Sequence, residues 1–195
     1  MDRDDLKRLL GPFPVRCPLD AVLLETADCG LYVRETIEYA VETDERVKSF
    51  LLVPKNINRS LPAIFAHHQH ASQFQLGKSE VVGLKGDADQ AYASELAERG
   101  YVVIAPDALA FEERNWSNPS GYAEYHELAT RLVQGRTLLS SASMMSVWPW
   151  ITWWRGRRLI RYGLDSSAIP TAAKWPSGLQ HSITAFEHRS PIADA

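Results

Sequence analysis

Pro62-Ala-Ile-Phe-Ala66 and Tyr101-Val-Val-Ile-Ala105-Pro106-Asp107 are short, unbroken apolar runs, the pattern of parallel strands whose sheet is covered by helices on both faces. Between them lie His67-His68-Gln69-His70-Ala71-Ser72, a glycine-punctuated stretch to Gly86, and Asp87 to Arg99 with Tyr92, Leu96 and Ala97 at core spacing. Asp87 or Asp89 can cap that predicted helix at its start, and Gly100 stops it. Strand, helix, strand implies a right-handed crossover and a parallel pair.

Upstream, Val33, Ile37, Tyr39 and Val41 alternate with Arg34, Thr36, Glu38 and Glu42, the two-residue period of a half-buried strand. Thr43 to Arg46 supplies a turn, and Val47, Ser49, Leu51 and Val53 repeat the period until Pro54, so the two runs are predicted to pair as a hairpin. Residues 1–30 read as an arm packed on the domain, with a short helical pattern at Leu6, Leu9 and Leu10 that Gly11-Pro12-Phe13-Pro14 must break. Downstream, Asp107 to Ser120 reads as a polar loop. Tyr122 to Leu139 is helical in pattern, with Tyr125, Leu128, Leu132 and Val133 on one face and Gly135 weakening it. The domain thus occupies residues 31–147, and 148–195 form a tail without a helix or strand period.

Composition narrows the function classes. The 195 residues are 45% hydrophobic and 23% charged, ordinary for one globular core. A net charge of −3 provides no global field for nucleic acid or an anionic membrane. Cys17 and Cys29 are too far apart for a Cys-x-x-Cys motif and too few for a disulfide framework, so they read as buried or idle thiols in a reducing compartment. Met1-Asp-Arg-Asp-Asp lacks the apolar core of a secretory signal. A cytoplasmic location is the expectation.

Residues from about Arg46 to Met145 resemble the first half of an α/β-hydrolase of the dienelactone hydrolase-like group. The matching pieces are Leu52-Val53-Pro54, Pro62 to His70, Gln75-Leu76-Gly77-Lys78-Ser79-Glu80 and Glu98 to Asp107, in that order. The resemblance implies an α/β fold with a partial α/β-hydrolase sheet: an antiparallel hairpin, then parallel strands with crossover helices. It also implies that the loop His67 to Ser72 donates backbone N–H groups to an oxyanion hole, from His70 and Ala71, because charge developing on a carbonyl oxygen needs fixed donors. Relatives place glycine soon after the histidine, where this chain has Ala71. Intact relatives would act on small-molecule esters or lactones through a serine acyl-enzyme. No cofactor is implied.

Other residues have plainer readings. His68 and His70 would need a third ligand such as Glu80, Asp107 or Glu112 to hold zinc, and no His-Glu-x-x-His spacing is present. Asp107, at the carboxyl end of a strand, reads as shaping the loop after Pro106. Glu112, Glu113 and Arg114 read as a solvated cluster. No Gly-x-Ser-x-Gly occurs in the 195 residues. Gly77-Lys78-Ser79 comes nearest, in the wrong loop and without a second glycine, and His181, His188 and Asp194 have no strand context that would make a triad.

The tail is compositionally foreign. Trp148, Trp150, Trp153 and Trp154 crowd together and Arg155, Arg157, Arg158 and Arg161 follow. When the last base of each codon is read with the first two of the next from Arg161, the genetic code allows Ile-Arg-Val-Gly-Leu-Ile-Gly-His-Ser-Tyr-Gly-Gly, an apolar strand entering a nucleophile elbow. The expectation is a reading frame that slipped near Trp148, leaving a genuine first half, a poorly ordered tail and no catalytic residues. A nucleic-acid or membrane-surface patch at Arg155 to Arg161 is the rival reading; it lacks an amphipathic period. A further alternative is a non-catalytic binding protein on a hydrolase scaffold, pairing with another copy along an exposed sheet edge. Loss of the later elements is expected to leave Ile64, Phe65, Val102 and Ile104 wet and the chain prone to aggregate.

Overall fold

The computed structural model describes residues 2–15, 17–55, 61–117, 120–141 and 183–184. Six strands make one mixed sheet in the order β1-β2-β3-β5-β4-β6. The predicted hairpin is β2 (Tyr32–Glu42) with β3 (Glu45–Pro54), paired antiparallel from Tyr32↔Pro54 to Glu42↔Glu45. The register slips between Ala40 and Glu42, which leaves only Thr43 and Asp44 in the turn. The decisive runs form β4 (Ala63–Ala66) and β5 (Val102–Pro106), parallel to each other as expected, while β5 pairs antiparallel with β3 on its other side.

Alternation along these strands sorts the core into two layers. Leu51, Val53, Phe65, Val102 and Ile104 join Ile37, Tyr39, Leu19 and Leu61 on one face. On the other, Phe50, Leu52, Val103 and Ala105 meet Val81, Val82, Tyr92, Leu96 and Ala97. The expectation that Phe65, Val102 and Ile104 would be wet is therefore corrected: the hairpin and the segment around Leu19 and Leu61 bury them, and Ile64 is half-buried against the second layer. About 25 cal/mol per Å² of apolar surface removed from water favours this closure.

Three elements depart from the sequence reading. Val22–Asp28, inside the presumed arm, forms β1 (Val22–Asp28), antiparallel to β2 at the sheet edge, with a register slip between Leu23 and Glu25. That slip hides the two-residue period in Val22-Leu23-Leu24. The helix between β4 and β5 is shorter than Asp87 to Arg99, because Asp87 caps a separate 3₁₀ turn, Ala88–Gln90, before the helix proper at Tyr92–Glu98. Among the described residues, α1 (Arg3–Leu10), α2 (Lys78–Val81), α3 (Tyr92–Glu98) and α4 (Tyr122–Val133) are helices, and residues 138–141 are again helical. Gly135 adopts a left-handed φ of 71° just beyond α4, which is why the helix stops short of Leu139.

The third departure is α4, which ends at Val133 rather than reaching Leu139. Its buried side carries Ala123 and Arg131, whereas Tyr125, Leu128, Leu132 and Val133, which share a face, are exposed. The tail reading falls outside the described residues except at β6 (Ile183–Thr184), which pairs antiparallel with β4. Cys17 and Cys29 are free thiols, each half-buried. No helix among the described residues is long and apolar enough to cross a membrane.

Candidate functional site

The carboxyl ends of β4 and β5 present the loop His67 to Ser72 beside the loop Asp107 to Arg114. The first is fixed at several points. Tyr92 Oη donates to the His67 carbonyl at 2.7 Å, and the stacked rings of His67 and His68 lie 5.1 Å apart. His68 is buried, with Nε2 accepting from the Ala108 N–H at 3.0 Å and Nδ1 against the Gln69 carbonyl at 2.8 Å. That pairing requires the neutral tautomer protonated at Nδ1. Burial agrees, pushing the imidazole down to about 4, with His67 and His70 adding to the depression.

His70 and Ala71, the candidate oxyanion residues, are exposed at the tip of this loop. Ala71 and Ser72 adopt left-handed φ of 41° and 54°, the conformation that favours glycine and marks a backbone held in strain. His70 is held by its side chain: Nδ1 accepts from the Ser72 N–H at 3.1 Å, and Nε2 lies 2.9 Å from Glu124 Oε1 on α4. Its ring also meets Phe74 and Phe111 edge-on, at 5.3 and 5.1 Å. Among the described residues, the backbone N–H groups of His70 and Ala71 have no acceptor. The loop therefore presents two adjacent donors on an anchored backbone.

Beneath it lies a buried ionic cluster. Lys78, at the start of α2, has a side chain 1% exposed. Its Nζ is 2.5 Å from Asp107 Oδ2, 3.1 Å from Glu112 Oε1 and 3.2 Å from Glu113 Oε1, and lies over the Phe50 ring. Its backbone N–H donates to Asp107 Oδ1 at 2.7 Å. Glu112 Oε2 accepts from the Ser79 N–H at 2.9 Å, and Glu112 Oε1 also takes the Ser79 hydroxyl. Gly77 is required here because a Cβ would stand 2.3 Å from Asp107 Oδ1 and 3.0 Å from Glu112 Cβ. Burial pushes Asp107 up to about 6 against the pull of the Lys78 ammonium, and the nearby Glu112 charge adds to the rise. Lys78 is held above its ordinary value: burial opposes the ammonium, and the surrounding carboxylates outweigh it.

This corrects the solvated reading of Glu112 and Arg114, while Glu113 is exposed as expected. Glu112 is nearly buried, Glu113 bridges Lys48 at 2.9 Å and Lys78, and the Arg114 guanidinium pairs with Glu45 and donates to the Asp107 carbonyl at 2.9 Å. Glu112 itself sits at a left-handed φ of 44°. Asp107 does shape the following loop, as its position implies, and its partner is a lysine that periodicity could not single out. The visible signal was Gly77-Lys78-Ser79-Glu80, in which an ordinarily exposed lysine and glutamate turn inward.

The proposed zinc donors have other partners. Both His68 nitrogens are occupied, His70 pairs with Glu124, and Glu80 accepts from Gln69 at 3.1 Å and from the Asp87 N–H at 3.3 Å. No group of three such side chains among the described residues can hold a metal ion. Ser79 has its hydroxyl sealed against Glu112 and no imidazole in hydrogen-bonding reach among the described residues. His181, His188, Asp194 and the Arg155 to Arg161 patch lie outside the described residues.

Comparison with known proteins places this geometry. The chain is 27% identical over 144 residues to the Bacillus subtilis (strain 168) protein named "Putative hydrolase YtaP". In structure it matches the crystal structure described as a "putative acetyl xylan esterase" from Bacteroides fragilis NCTC 9343, with a TM-score of 0.63 at 20% identity over 82% of this chain. The chain shares the mixed α/β fold of that esterase. The match takes in 48% of YtaP and 43% of the esterase, so the chain spans about half the length of the proteins it matches. No family model matches the chain.

Proposed function

We propose that this chain is the opening half of a dienelactone hydrolase-like ester hydrolase, retaining the oxyanion-donor loop without the nucleophile. In that reading the N–H groups of His70 and Ala71 would face the carbonyl oxygen of a small ester or lactone. The Lys78–Asp107–Glu112 cluster would hold the neighbouring loop so that the donors cost no reorganisation when charge develops. The chain as given would not turn over esters, and a cytoplasmic setting suits its free thiols.

One observation carries the reading: Ser79, in the stretch Gly77-Lys78-Ser79 that comes nearest to the motif, is 4% exposed with its hydroxyl on Glu112, and no Gly-x-Ser-x-Gly stands anywhere in the 195 residues. A nucleophile needs an adjacent base within hydrogen-bond reach. The frame-slip reading of the tail supplies the origin, since the shifted text allows an elbow where such a fold would place it. A p-nitrophenyl acetate assay on the purified chain tests the reading. Background hydrolysis is expected; turnover abolished by a serine-directed inhibitor would refute it.

A further inference from the structure

Trp116, between the Asp107 to Arg114 loop and α4, is a large apolar side chain held on the surface. Its ring is 57% exposed, yet the backbone on either side of it is pinned. Asn115, 7% exposed, donates through Nδ2 to the Phe74 carbonyl at 3.4 Å and accepts from the Ser117 N–H at 3.2 Å. The Ser117 hydroxyl donates to the Ser120 carbonyl at 2.9 Å and accepts from the Ala123 N–H at 2.9 Å, which ties the turn to the start of α4. The Trp116 ring stands at 88° to Tyr122, 5.6 Å away, and at 89° to His126, 5.3 Å away. Tyr122 is itself 57% exposed. The three rings make a fixed aromatic corner open to solvent. Gly121 seats it beside the donor loop, since a Cβ there would stand 2.7 Å from the Phe74 ring, which meets His70 at 5.3 Å.

The size and chemistry of the corner select what it can hold. Trp116 and Tyr122, each 57% exposed, together offer roughly 200 Å² of ring surface, far below the roughly 800 Å² a side of a stable protein interface. The occupant is therefore a small ring. A cation lacks a countercharge here, because the nearest carboxylates along α4, Glu124 and Glu127, are engaged by His70 and Arg131. A flat aryl group is apolar on both faces, so an open corner would cover one and leave the other wet. A pyranose differs. Its axial C–H groups form an apolar face that suits the negative face of an aromatic ring, while its hydroxyls stay in water or reach the rim of the corner. Among the described residues, neither the Trp116 indole N–H nor the Tyr122 hydroxyl has a hydrogen-bond partner, so both can meet a sugar hydroxyl. Leu128, Leu132 and Val133, also exposed, lie roughly 9–16 Å further along α4 and have no π face.

We propose that the Trp116–Tyr122–His126 corner is a carbohydrate-binding platform that stacks the apolar face of an uncharged pyranose ring, with the indole N–H and the phenol O–H meeting its hydroxyls. The platform needs no nucleophile and stands apart from the ester chemistry proposed above. The 195-residue chain should therefore bind sugar whether or not it turns over an ester.

Saturation-transfer difference NMR of cellohexaose with the 195-residue chain tests this. The strongest transfer should fall on axial ring protons, with a Kd on the order of 1 mM. Trp116→Ala should weaken binding about tenfold and Tyr122→Ala about threefold, while Trp116→Phe retains part of it. Leu132→Ala should leave it unchanged, and the thermal midpoint of every variant should stay within about 2 °C of the parent. Absence of transfer to the sugar would overturn the proposal. So would binding that survives Trp116→Ala, which would place it on other tryptophans, or a site that takes p-nitrophenol or tetramethylammonium instead of the sugar. Sugar binding accompanied by ester turnover that a serine-directed inhibitor abolishes would keep the platform and remove the functional reading alone.

Discussion

Replacing Lys78 by methionine would expose how much the buried cluster demands of its one interior ammonium. The side chain is 1% exposed and touches Asp107, Glu112 and Glu113 at 2.5, 3.1 and 3.2 Å. Methionine fills similar space but leaves Asp107 and Glu112 without that countercharge, and breaking a buried pair from one side costs about 3–5 kcal/mol. Against a total stability of about 5–15 kcal/mol for a domain, that is a large fraction. The loss should depend on pH. Asp107 already sits near 6 through burial, and losing the ammonium raises it further. A carboxyl whose folded value lies above its unfolded one loses stability as pH climbs through that range. The variant should therefore fall furthest behind the parent near pH 8 and recover toward pH 5. Adding Asp107→Asn should return part of the loss at pH 8. Urea unfolding followed by far-ultraviolet circular dichroism at both pH values reads this directly. A deficit under 1 kcal/mol that is flat in pH would refute the view that the cluster is buried and mutually dependent.

Gly77→Ala should cost about 1–3 kcal/mol, because its Cβ would stand 2.3 Å from an Asp107 oxygen that Lys78 holds in place; the same denaturation measurement checks it. His68 has a folded value of about 4, below its unfolded one, so its contribution is present above about pH 6.5 and lost as pH falls toward 4. His68→Phe should flatten that acid-side loss in a pH series of urea midpoints. It should also cost about 1–3 kcal/mol at pH 7 by orphaning the Ala108 N–H. His70→Ala removes an exposed contact to Glu124 and should change stability by no more than about 1 kcal/mol, measured by the shift in thermal midpoint.

The strands were legible because burial on both faces leaves a direct trace: Ala63 to Ala66 and Val102 to Ala105 are unbroken apolar runs, and β2 and β3 keep a two-residue period through Val41 and Val53. β1 was not, because the slip at Leu23 places Val22, Leu23 and Leu24 in sequence without alternation. The face shared by Tyr125, Leu128, Leu132 and Val133 was legible in the period of α4. Periodicity says which residues share a face; only the ion pairs of Arg131 and Glu124 decide which face turns inward. For the candidate site, the His67 to Ser72 loop came through the resemblance, whereas Lys78 and Glu112 were hidden because residues of their type are exposed almost everywhere else. Nothing local in Glu112-Glu113-Arg114 announces that Glu112 will reach the amide and hydroxyl of Ser79 thirty-three positions away.

The most direct test of the account is intact mass spectrometry of the 195-residue chain after incubation with a fluorophosphonate that labels activated serines. The account predicts an unmodified mass, since Ser79 is sealed by Glu112 and the sequence holds no Gly-x-Ser-x-Gly. A stoichiometric adduct on any serine would contradict it.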